Sequence, residues 1–136
     1  FVVARWPNAA LSLRDATTQD RLQAGLLSVR NFLLVDNART FQEGSNQFAV
    51  DPAAAALDVR TEPAASVFVS LPGTPTTATL DWTPAPNSPA RSGGLTSFAG
   101  RLAELAGGFV VPTPYRGAAD PSGPKWWQGW TSYARN

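Results

Sequence analysis

The chain has no histidine, no cysteine and no methionine, and its only lysine is Lys125. Without His or Cys there is no thiolate nucleophile, no imidazole base near neutral pH, no disulfide and no Cys/His metal centre. Carboxylates are what remains for acid/base work. Charge is scarce too: 15% of residues are charged, and 11 basic against 10 acidic side chains leave a formal +1. A surface that reads phosphates needs a basic excess, so nucleic acid is not indicated by charge. No run approaches the roughly 18 apolar residues of a membrane span. No internal repeat is visible, and there is no G-x-S-x-G, no phosphate loop and no dinucleotide fingerprint. Lacking an initiator methionine, Phe1 reads as following a processing event or a truncation.

What is present suits one ordered domain. The 136 residues have a mass of 14.4 kDa, enough for a single core, and 43% of them are hydrophobic. The segment Phe1-Val2-Val3-Ala4-Arg5-Trp6-Pro7 is either an edge strand or arm, or the remnant of an anchor whose Arg and Trp meet a membrane interface. Residues 15 to 43 predict one long helix. Asp15 or Thr17 caps it, Gly44 stops it and no proline interrupts it. Leu22, Leu26, Val29 and Leu33 fall in one arc, with Leu27, Leu34, Ala38 and Phe41 in the adjoining one.

Beyond Gly44 the period shortens. Gln47–Asp51, Leu57–Arg60, Ser66–Leu71 and Thr76–Trp82 read as strands separated by Pro and Gly, with connections too short for crossover helices. The expected fold is therefore α+β: a long N-terminal helix on an antiparallel sheet. A short second helix opens at Thr96 or Ser97 and runs to Ala106. A fifth strand, Phe109–Val111, leads into a loop-rich C-terminal region. The divisions are residues 1–14 as arm, 15–43 as spine and 44–136 as sheet with loops.

Chemistry is thin along this plan. Ser122-Gly123-Pro124-Lys125 spells S-x-x-K, but Gly-Pro between the partners opposes the helix that would bring Lys onto Ser. Asp81 and Glu104 have no motif around them, and Asp120 stands as a single acid in its loop. No catalytic residue, no metal site and no cofactor are expected. The tail concentrates aromatic rings in Trp126, Trp127, Trp130 and Tyr133. These four are the candidate binding residues, as a platform for a sugar ring or polymer. The competing expectation is that they close the end of the sheet as a core lid, while Trp6 and Trp82 are core.

The helix text Thr17-Thr18-Gln19-Asp20-Arg21-Leu22-Gln23-Ala24-Gly25-Leu26-Leu27-Ser28-Val29-Arg30, continued through Phe32-Leu33-Leu34 and followed by a meander, resembles the periplasmic part of bacterial type IV pilins and type II secretion pseudopilins. That resemblance, over residues 1 to 82, implies a non-catalytic filament or apparatus subunit at the cell surface or in the periplasm. It would be anchored by a removed N-terminal hydrophobic helix and would contact other subunits through its N-terminal helix. Membrane contact would come only through that missing segment. Arg5 and Pro7 depart from a mature pilin start, and the cysteine pair of many pilins is absent. Two other classes stay open: a carbohydrate- or polymer-binding surface module using the C-terminal rings, and a phage virion structural protein.

Overall fold

A computed structural model describes residues 1–27, 29–44, 47–50, 59–74 and 76–129. The chain divides into two compact units, Phe1–Pro63 and Ala64–Asn136.

The first unit is built from parallel strands. In order, β1 is Val2–Ala4, β2 Leu11–Ser12, α1 Ala16–Gln23, β3 Phe32–Val35, β4 Phe41–Gln42 and β5 Val59–Glu62. The strands β1, β3 and β5 form one sheet in that order, and β2 and β4 form a second. Every pairing among them is parallel: Val2 lies opposite Leu33, Phe32 opposite Val59, and Leu11 opposite Phe41. The chain thus returns to its own flank after 31, 30 and 27 residues. Each return lays a new strand on the last, as in a solenoid, where one coil covers the next.

A shared corner explains why consecutive coils stay in step. After β1 the chain turns at Arg5 (φ 52°), and after β3 it turns at Asp36 (φ 48°). Both residues take the left-handed conformation, uncommon outside glycine, at equivalent places in adjacent coils. The Arg5 amide donates to the Val35 carbonyl at 2.8 Å, and its guanidinium lies 3.8 Å from the Asp36 carboxylate. Asn37 then ties the two coils together. Its Oδ1 accepts from the Trp6 amide at 2.9 Å and its Nδ2 donates to the Val3 carbonyl at 2.8 Å. Bonds from Ala38 to Trp6, Ala10 to Arg39 and Leu11 to Thr40 carry the ladder round to the second sheet.

Burial follows from this stacking. Leu33, Leu34 and Val35 are all buried in the middle strand, as expected of a parallel strand covered on both faces. In the second sheet sides alternate: Leu11 packs against the core and Leu13 belongs to it, while Ser12 and Arg14 face outward. The core joins Leu13, Leu22, Val29 and Val50, with Phe32, Phe41 and Phe48 packed on it.

The long spine helix and the antiparallel meander do not form. The helix is eight residues long, α1, capped by Asp15 through its bonds to the Thr18 amide and hydroxyl at 2.8 and 2.7 Å. It stops at Ala24, where Gly25 takes φ +70°, a conformation that costs glycine little and ends helices readily. Beyond it, Phe32–Val35 is a strand. Four consecutive apolar residues satisfy a helical arc and a fully buried strand equally well, and flanking Asn31, Asp36 and Asn37 favour the strand. The pairing also departs from the antiparallel arrangement expected of short connections, because partners lie a whole coil apart rather than next in sequence.

In the second unit, α2 (Ala64–Val67) leads into β6 (Phe68–Ser70), which pairs antiparallel with β7 (Asp81–Pro84). A turn held by Thr76 and Thr79 precedes β7. A 3-10 turn covers Pro89–Arg91, and α3 covers Gly100–Ala106. The expected strand at Phe109–Val111 is irregular chain, and the strands expected over Gln47–Asp51 and Leu57–Arg60 fall partly outside the described residues. The segment after Val111 folds back on the 3-10 turn through Arg116 to Ala90 (2.8 Å) and Gly94 to Pro114 (3.0 Å). Gly94 is required at that contact: a Cβ there would collide with the carbonyl oxygens of Thr113 and Tyr115.

Among the described residues no helix is long and apolar enough to cross a membrane.

Candidate functional site

The outward residues of the first unit's second sheet line a cleft. Ser12 and Gln42 sit opposite each other in the β2–β4 register, on the face away from Leu11 and Phe41. Arg14 continues that face two residues along, Gln47 lies beside it and bonds to the Ser12 hydroxyl, and Arg39 and Glu43 flank β4. Trp6, Asn8 and Ala9 close the other wall. The space measures about 620 Å³ and is open to solvent, within the size range of small-molecule sites.

Trp6 gives the cleft its character. The residue is 57% exposed, while its backbone is held on both sides, the amide by Asn37 and the carbonyl by Ala38 at 3.2 Å. The coil corner therefore presents an indole to water on a fixed stem. Expecting Trp6 in the core was wrong for a local reason: Arg5 turns the chain outward just before it. Lining the cleft with it are three amides, two guanidinium groups, one hydroxyl and one carboxylate. A flat apolar ring beside convergent donors and acceptors suits a ligand that is hydroxylated on its edges and apolar on its faces. Among the described residues no group of three or more acids is placed to hold a metal ion.

The aromatic tail is arranged differently. Trp130 and Tyr133 lie outside the described residues. Trp126 and Trp127 do come together, and Trp82 joins them, with ring centroids 5.6 to 6.0 Å apart. Their planes are inclined at 45°, 52° and 88°, so they make no flat platform. Trp127 is only 3% exposed and belongs to the interior, whereas Trp126 is 42% exposed with its indole N–H bound to the Ala118 carbonyl at 2.8 Å. Trp126 and Trp127 pack edge to face, a favoured aromatic geometry that builds cores.

Beside this cluster Lys125 Nζ donates to Asp81 Oδ2 at 2.6 Å, and the Thr83 amide donates to Asp81 Oδ1 at 3.0 Å. Partial burial works to raise the Asp81 carboxyl. The bonds from Lys125 and Thr83, with the ammonium charge, outweigh it and hold the group below its ordinary value of 3.8. A carboxyl lowered by folding stabilises the native state above its unfolded pKa and loses that contribution as pH falls through the folded one. The second unit should therefore lose stability as pH drops below about 4, and Lys125→Met should flatten that acid limb. Chemical denaturation of both proteins from pH 6 to pH 2 checks this. Parallel curves would remove the pair from the stability of the unit.

No family model, no curated protein and no solved structure matches the chain.

Proposed function

We propose that the chain is a non-catalytic surface module that binds a polyhydroxylated polymer, a glycan strand, along the cleft of its first unit. The observation that carries this is Trp6: an indole largely open to solvent on a hydrogen-bonded stem, over a wall of amide, hydroxyl and guanidinium groups. Exposed tryptophan is otherwise disfavoured on a soluble surface, and fixing its backbone lowers the entropy lost on binding. Binding is favoured over cleavage because the cleft's described lining holds one carboxylate, Glu43, while glycosidic hydrolysis ordinarily works with two. A filament subunit of the pilin kind would need the long N-terminal rod for its subunit contacts, and α1 spans eight residues.

The test is a glycan panel, neutral and acidic, titrated against the whole chain by calorimetry. Trp6→Ala should weaken binding at least about tenfold, the effect of losing one stacked ring. Trp126→Ala should leave it unchanged. A panel with no binder, or a Trp6→Ala protein that binds as the parent does, overturns the proposal.

A further inference from the structure

The charge lining the cleft indicates which glycans it takes. Arg14, Arg39 and Glu43 are its three charged groups, two cations against one anion, in a chain whose overall charge is +1. Neither guanidinium forms an ion pair among the described residues, whereas Arg5, Arg101 and Lys125 are each matched to a carboxylate. Arg39 lies just before β4 and Arg14 just after β2, so adjacent coils present both around the Ser12–Gln42 pair. The planar guanidinium fork matches a carboxylate bidentately, which an amide or hydroxyl cannot do.

We infer that the cleft is selective for an acidic glycan, a chain containing uronate residues, with Arg14 and Arg39 holding sugar carboxylates while a neighbouring ring face rests on Trp6. This rests on the glycan-binding proposal above and narrows it. Glu43 sharpens the selectivity: its charge repels a polymer bearing acid on every group, such as a polyphosphate or a densely sulfated chain, and its oxygens accept from sugar hydroxyls. A uronate chain spaces its charges one per ring, leaving hydroxyls between them for Glu43, Gln42 and Gln47.

Titrations of the whole chain with a hexameric uronide and with a neutral hexasaccharide of the same linkage decide the matter. The uronide should bind at least tenfold more tightly, and the preference should shrink as salt rises, since exposed charge pairs are screened. Arg14→Gln and Arg39→Gln should each weaken uronide binding about tenfold, as expected for one charge-assisted contact, and so narrow the uronide-over-neutral preference. Glu43→Gln should admit heparin, which the parent rejects. Because all three positions are exposed, these variants should keep the parent's melting temperature. Equal binding of both hexasaccharides, abolished by Trp6→Ala, would overturn acidic selectivity and leave glycan binding standing. Failure of every glycan would overturn both. Uronide binding that Arg14→Gln and Arg39→Gln leave intact would overturn the role of the two arginines.

Discussion

Trp127→Ala is expected to destabilise the second unit by about 3–5 kcal/mol, the usual range for deleting a buried large aromatic side chain. Trp127 is almost wholly enclosed, and its ring touches both Trp82 on β7 and Trp126. Truncation would leave a void bounded by two other indoles, which lose dispersion contacts and edge-to-face packing together. Trp126→Ala should cost about 1–2 kcal/mol, because much of that ring already faces water and one hydrogen bond, to Ala118, goes with it. Urea unfolding followed by circular dichroism measures both. The order matters more than either value: a binding platform would make both substitutions mild, whereas a core lid makes Trp127 much the costlier. If Trp126→Ala proves as damaging as Trp127→Ala, the inside and outside of this cluster are wrongly assigned.

The same cluster shows how far sequence alone reaches. Three of the chain's five tryptophans fall between Trp126 and Trp130, and their density marked the tail as important, but density does not tell a lid from a platform. That distinction depends on Trp82, 44 positions before Trp126, and on a carbonyl at Ala118, and such long-range partners leave no local trace. The cleft was harder still to see. Ser12, Arg14, Gln42 and Gln47 look like ordinary polar residues until parallel stacking sets β2 beside β4 and turns them to one side. A signal was available in Leu11-Ser12-Leu13-Arg14 and Phe41-Gln42, which alternate as half-buried strands do. In Phe41 that alternation coincides with the apparent helical arc, which it fits equally well. The corner carried a second signal: Arg5-Trp6-Pro7-Asn8 and Asp36-Asn37 each follow an apolar run with turn-forming chemistry. Read together, they mark a structural repeat that the residues' identities conceal, since Val2-Val3-Ala4 and Leu33-Leu34-Val35 share only their apolar character.

Leu26 and Leu33 separate the two accounts of the first unit most sharply. On one continuous helix they lie seven positions apart in the same arc, and alanine at either should cost a similar 2–5 kcal/mol as a buried leucine. In the structure they have nothing in common. Leu26 lies past the end of α1 and is 69% exposed, whereas Leu33 is fully enclosed in β3 between β1 and β5. Leu33→Ala should therefore lower the stability of the first unit by about 3–4 kcal/mol, and Leu26→Ala should change it by less than about 0.5 kcal/mol. The damage should also reach the site. Leu33 and Val35 anchor the strand whose end carries Asn37, and Asn37 fixes the stem of Trp6. Glycan affinity of the Leu33→Ala protein should fall even under conditions where it remains folded, while Leu26→Ala should bind as the parent does. Denaturant titration and calorimetry on the two variants test stability and site together. Equal costs at the two leucines would restore the helix and dissolve the coil corner, and with it the fixed indole on which the proposed glycan binding depends.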